Sequence, residues 1–142
     1  RSGMSLFQIF DVSASAMNAQ SVRLNTTASN LANAESVSSS AEEIYRARRP
    51  VFAAQLQDAL SDGTAPQGVE VKGIVESQAP LVREYSPSHP MADQDGYIYK
   101  PNVNPIEEMA DMISASRSYQ TNVQVADTAK NMLTQTLRLG KG

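Results

Sequence analysis

The sequence predicts a mainly α protein of the α+β class. Two long terminal helices pair as an antiparallel coiled-coil rod, and a small antiparallel β element is inserted between them. Three observations carry this reading. An apolar repeat of seven runs near each end of the 142-residue chain, each repeat follows a capping motif, and the stretch between them breaks into short alternating segments. The boundaries read as 4–36 for the N-terminal helix, 37–103 for the loop and β-rich middle, and 104–142 for the C-terminal helix. Arg1, Ser2 and Gly3 precede Met4, a natural start, and read as a cloning scar.

The first helix opens at Ser5 and Gln8, whose spacing is that of a capping box. Phe10, Met17, Leu24 and Leu31 then recur every seven residues, a narrow seam that wants one partner helix. Ala14, Ala16, Ala19, Ala28 and Ala32 would let neighbouring backbones come close. By Ser36 the pattern gives way to a polar loop, SVSSSAEE.

In the middle, four segments have strand character: Tyr45–Gln57, Gln67–Glu76, Pro80–Tyr85 and Gly96–Lys100. Gly73 marks a bulge or break in the second. Asp62-Gly63, Pro66–Gly68, Ala79-Pro80 and Ser86–Pro90 are the turns between them. No internal repeat accompanies these segments.

The second helix starts at Asn104-Pro105-Ile106-Glu107: an N-cap, a proline at the first helical position, and a carboxylate to complete the box. Glu108 adds negative charge at the positive end of the helix. Met112, Tyr119, Ala126 and Leu133 form the seven-step seam, with Met109, Ile113, Val123 and Leu137 partly outside it. Arg138 and Gly140 make the stop. Roughly 35 residues at about 1.5 Å each give a helix on the order of 50 Å long, which a two-helix pair cannot cover by itself. The uncovered stripes mark an interface with further copies or neighbours.

Composition excludes several function classes. A net charge of −3 argues against a nucleic-acid partner, and the absence of cysteine removes thiolate metal sites, disulfides and cysteine nucleophiles. No apolar run reaches the length of a membrane span, and the N-terminal residues lack the pattern of a cleaved secretory signal. There is no G-x-S-x-G and no phosphate-cradling glycine motif, so no small-molecule substrate or cofactor is expected. The single histidine, His89, lies near Asp93 and Asp95 in SPSHPMADQDGY. A calcium-loop frame would place Met91 and Asn102 where end carboxylates belong, and zinc would want a second imidazole or thiolate. The favoured reading is an ordered loop between Pro87 and Pro90 with the aspartates shaping turns. The alternative functions are a metal-binding or hydrolytic domain on that loop, or a secreted coiled-coil effector. Arg46, Arg48 and Arg49 read as a solvated strand face.

Two stretches carry a resemblance. TTASNLANAES (Thr26–Ser36) and NVNPIEEMADMISASRSYQTNVQVADTAKNMLTQTL (Asn102–Leu137) resemble the terminal signatures of flagellar axial proteins, in the basal-body rod protein family. The matching positions are Asn30, Asn33, Asn102, Asn104, Glu108, Met109 and Tyr119. The short middle, with SPSHPMADQDGYIYKPNVN, is similar to that of proximal rod proteins, whereas Ser36–Glu43 is longer and more polar than the turn expected there.

The resemblance implies a non-enzymatic structural component of the proximal rod, without metal or cofactor, assembling with copies of itself and other rod proteins into a torque-transmitting shaft. It further implies a location in the basal body, within the periplasmic space. Passage would be through the flagellar type III export apparatus without signal cleavage, with the inner-membrane ring as a further neighbour. Leu6, Phe7, Ile9 and Phe10 resemble the short apolar element of early export substrates.

Overall fold

A computed structural model describes residues 5–55 and 68–140. Residues 1–4, the Asp62-Gly63 turn and the outer parts of two strand segments lie outside the described residues. The order of elements is α1 (Leu6–Ala32), β1 (Arg48–Ala54), β2 (Val69–Glu76), β3 (Val82–Tyr85), β4 (Tyr97–Lys100) and α2 (Pro105–Gly140). The chain is thus two helices with two small two-stranded sheets between them, β1 with β2 and β3 with β4. Among the described residues no helix is long and apolar enough to cross a membrane.

Both helix starts are capped, α1 by the full reciprocal box and α2 by Asn104 without a return bond from the Glu107 carboxylate. The Ser5 amide donates to Gln8 Oε1 at 2.9 Å, and the Gln8 amide returns a bond to Ser5 Oγ at 3.1 Å. At α2, Asn104 Oδ1 accepts from the amides of Ile106 and Glu107, while the Asn104 carbonyl takes the Glu108 amide at 3.0 Å. Pro105 needs no amide partner there, which is why it fits the first turn. β2 runs unbroken through Gly73, because that glycine is exposed with nothing near the position a Cβ would take.

The chain divides into two compact units. One comprises Arg1–Val22, Val51–Gly73 and Ser114–Gly142. Here Ser15 Oγ donates to the Val12 carbonyl of its own helix and accepts the Val69 amide at 3.0 Å, which fixes the start of β2. Gly68 lies so close that a Cβ there would stand 2.6 Å from Ser15 Oγ, and its carbonyl accepts the Gln55 amide. Leu6 and Ile9 of α1 border a groove whose other wall is Val125, Ala129 and Met132 of α2.

The other unit comprises Arg23–Pro50 and Ile74–Ile113. Its β3–β4 hairpin is antiparallel, with Arg83 opposite Tyr99, Glu84 opposite Ile98 and Tyr85 opposite Tyr97. Alternation puts Arg83, Tyr85, Tyr97 and Tyr99 on one face, where the Arg83 guanidinium stacks 3.7 Å from the Tyr97 ring centre. Ile98, on the opposite face, is buried. Lys100 and Glu84 form an exposed cross-strand ion pair at 2.7 Å.

The polar loop after α1 has its own internal order. Ser38 exchanges two backbone bonds with Tyr99, Ser38 Oγ accepts the Ser40 amide, and Ser40 Oγ accepts the Glu42 amide. The serines of this loop therefore close successive turns and add a bridge to the edge of β4.

The SPSHPMADQDGY loop is a set of nested turns. Asp93 Oδ1 accepts the amides of Asp95 and Tyr97, both at 2.9 Å, and Gly96 takes a positive φ of 85° between them. His89 Nδ1 accepts the Met91 amide at 3.0 Å. Among the described residues no group of three potential ligands is placed to hold a metal ion.

Candidate assembly interface

The helices bury small and polar side chains and leave many large apolar ones outside. On α1 the buried positions are Ser13, Ala19, Thr26, Thr27 and Asn30, and on α2 they are Glu108, Ala115, Ala126 and Ala129. At about 100° per residue these positions gather on one side of each helix. The predicted seams flank this stripe. Met17, Leu24, Leu31, Met112, Val123 and Leu133 are half-buried, and of the predicted interface residues only Ala126 is fully buried. Phe10 and Tyr119 are exposed, and Met109, Ile113 and Leu137 are 54%, 57% and 66% exposed. In the N-terminal apolar element, Leu6 and Ile9 are half-buried while Phe7 and Phe10 face outward.

The physical reason lies in side-chain volume. Ala, Ser and Thr let two backbones approach, so the closest line of contact takes the smallest residues and larger ones are pushed to its flanks. A seven-step apolar pattern by itself cannot tell the centre of such a contact from its edge. Glu108, Ala115, Asn122 and Ala129 also step by seven, and this row is the more buried one.

Five of the motif residues gain geometric roles. Asn30 is fully buried and makes every hydrogen bond an amide can make. Its Nδ2 donates to the Arg48 carbonyl at 2.9 Å and to Glu108 Oε2 at 3.1 Å. Its Oδ1 accepts from the Arg48 amide at 2.9 Å and from Tyr45 Oη at 2.7 Å. With its proton given to Asn30, Tyr45 Oη accepts from Ser29 Oγ at 3.1 Å. Asn30 thereby imitates a strand neighbour for β1, pairing both backbone groups of Arg48.

Glu108, also fully buried, receives the Arg49 guanidinium on its second oxygen. An isolated carboxylate at this depth would be very costly; two donors, one of them charged, make it tolerable. Arg23 reaches Asp111 at 3.4 Å on the same stretch of helix.

Asn102 does for the strand ends what Asn30 does for β1. Its Oδ1 accepts the Ala47 amide at 2.7 Å, and its Nδ2 donates to the carbonyls of Ser77 and Ala79. Asn104 caps α2, and Asn33 Nδ2 bonds back to the Ser29 carbonyl, closing the end of α1.

The reading of the arginine cluster as a solvated strand face needs correction. Arg49 closes over a buried carboxylate, Arg48 stacks on the Tyr45 ring, and Arg46 points at the Ser77 carbonyl. Sequence reasoning also missed Tyr45. The signal available for both was a fully polar pair, Asn30 and Glu108, at helix positions that spacing assigns to the inner face.

The arrangement joins the two helices through the polar pairs Asn30–Glu108 and Arg23–Asp111 and leaves large apolar side chains exposed on both. Comparison with known proteins agrees with that character. A family model described as "Flagella basal body rod protein" matches residues 10–37, and one described as "Flagellar basal body rod FlgEFG protein C-terminal" matches residues 94–139. These define the class, flagellar rod proteins, and full-length relatives narrow it.

The chain is 48% identical over 138 residues to the flagellar basal-body rod protein FlgC of Salmonella typhimurium, covering 97% of this chain and 100% of that one. It is 49% identical, with the same coverage, to FlgC of Escherichia coli O157:H7. To FlgC of Bacillus subtilis it is 37% identical over 150 residues, again with 97% and 100% coverage. The chain belongs to the FlgC family of flagellar basal-body rod proteins.

Proposed function

We propose that this protein is a structural component of the bacterial flagellar basal-body rod, building the proximal part of the shaft that carries torque for motility. The observation that carries the reading is the inverted distribution of side chains. Small and polar residues take the buried positions of both helices, while Phe7, Ile106, Met109, Ile113 and Leu137 face outward on the same two helices. Exposed apolar stripes of this kind are stable in a protein whose neighbours cover them.

The helices act as an antiparallel pair, and many such pairs pack side by side with copies of the chain and with other rod proteins. Support comes from each unit separately. In one, the end of α1 meets the start of α2 through Arg23–Asp111 and Asn30–Glu108; in the other, Leu6 and Ile9 face Val125 and Met132. The predicted interface residues Phe10, Met17, Leu24, Leu31, Met112, Tyr119, Val123, Ala126 and Leu133 form the inner and flanking surfaces of that pair. Met109, Ile113 and Leu137 reach the neighbours. Torsional stiffness arises from many close contacts between small residues, since well-packed interfaces deform little. The family membership supports a basal-body location. Periplasmic placement, export without cleavage using Leu6, Phe7, Ile9 and Phe10, and contact with the inner-membrane ring complete the proposal.

The test separates folding from assembly. Ile113→Asp with Leu137→Asp changes two exposed side chains, so the purified chain should keep its helical circular dichroism and its stability within about 1 kcal/mol. Cells carrying only this variant should export it, fail to build rods and not swim. Wild-type swimming with normal basal bodies would overturn the proposal.

A further inference from the structure

We propose that Glu108, held by Asn30 and Arg49, sets the register of α1 against α2 and so acts as a specificity residue for the helix pair. The need for one follows from the composition of the contact. On α2 the buried Glu108, Ala115 and Ala129, with the half-buried Asn122, form a row that repeats every seven residues. The flanking residues repeat at the same interval, through Met112, Tyr119, Ala126 and Leu133 on α2 and Met17, Leu24 and Leu31 on α1.

A slide of α2 by one repeat would move it by about 10 Å. It would still set apolar residues beside apolar ones, and it would bring Ala115 to the place of Glu108. Alanine is too small to clash there, so shape gives weak discrimination between the two registers. Asn122 adds none, because its amide donates to the Ser118 carbonyl of its own helix at 2.8 Å.

Glu108 breaks this degeneracy. Its carboxylate is fully buried, and its two oxygens meet Asn30 Nδ2 and the Arg49 guanidinium. Asn30 cannot turn away to serve a slipped helix, because its other three bonds go to the backbone of Arg48 and to Tyr45 Oη. The donors therefore stand at a fixed point on α1 and β1, and only one position of α2 brings the carboxylate to them. Any slipped register buries Glu108 away from its donors or leaves the Asn30 amide without an acceptor. Stability does not by itself account for a carboxylate at this place, since apolar residues of similar size commonly serve as well or better; register specification is the attested use of such a group. Register in turn decides which outward side chains come level with each other, and hence which surface a neighbour meets.

The absence of cysteine allows a direct test on the full chain, because two introduced thiols are the only sites of labelling. Nitroxides at Asn25→Cys and Ala110→Cys, both exposed positions, report the offset between the helices by electron–electron dipolar spectroscopy. With the native cluster, one distance population is expected. Glu108→Met with Arg49→Met removes both charges at nearly constant volume and leaves Asn30 its bonds to Arg48 and Tyr45. That variant should stay helical, with a denaturation midpoint no lower than the parent, and should show a second, distinct distance population, because a slide of one repeat carries one label about 10 Å along the axis. Glu108→Gln with Arg49→Gln keeps an oxygen acceptor for Asn30 and should return the single population. A folded methionine variant with one native population would overturn the proposal. So would loss of helix in that variant, which would make the cluster a folding requirement, or two populations in the glutamine variant.

Discussion

Single residues here act mostly through hydrogen-bond geometry. Asn30→Asp is nearly isosteric, yet it removes both amide donors and sets a second carboxylate against Glu108 in a buried site. Unfolding in urea should show a loss on the order of 3 kcal/mol, well above the effect of a surface change. The hairpin offers a gentler case. A hydrogen bond from Lys100, followed by its charge, holds the Glu84 carboxyl below its usual value of 4.5, and the same partner raises Lys100 above 10.5.

The sign for Glu84 follows from its depressed folded-state value. Its contribution to stability is present above 4.5 and is lost as pH falls through the folded-state pKa; that of Lys100 is present below 10.5 and is lost as pH rises through its own. Carbon-detected titration should find the Glu84 midpoint below the ordinary range, and Lys100→Met should return it there.

At the scale of elements, the most legible parts were those whose causes are local. Ser5 and Gln8, or Asn104 and Pro105, start a helix wherever they stand, because the groups they satisfy lie within the same turn. Asn104→Ala should therefore cost about 1 kcal/mol in chemical unfolding, with first-turn amides of α2 exchanging faster. Strand positions were legible to within a few residues from alternation and turn signals. The seams were legible as periodicity only. Sequence spacing showed that Met112 and Leu133 share a face, but which face meets α1 most closely depends on the volumes of both partners. In the structure the buried apolar residues of α2 are the small Ala115, Ala126 and Ala129. Arg49 was misread for a similar reason: its partner lies 59 positions away, and nothing local announces it.

For the whole molecule, the large side chains left outside connect fold to assembly. Leu137 and Leu139 near the end of α2 are exposed, whereas the Ala47 and Arg48 amides are held by Asn102 and Asn30. Local stability should follow that difference. In the isolated chain, amide hydrogen exchange should be slow at Ala47 and Arg48 and fast through the last turns of α2, and incorporation into rods should slow the latter. Equal protection at both places in the free chain would contradict this.

By itself, the sequence determined the two helices with their caps, the β character of the middle, the turns around His89 and Asp93, and the axial-protein signatures at both ends. Each depends on neighbours in the chain or on a pattern of types, and both are written in one dimension. Only the tertiary structure decided that Asn30, Glu108, Arg49 and Tyr45 meet, that serines of the polar loop bridge to β4, and that small residues take the buried positions of both helices. Those outcomes depend on which distant groups share a buried volume, where every polar atom must find a partner and every side chain must fit beside the one opposite.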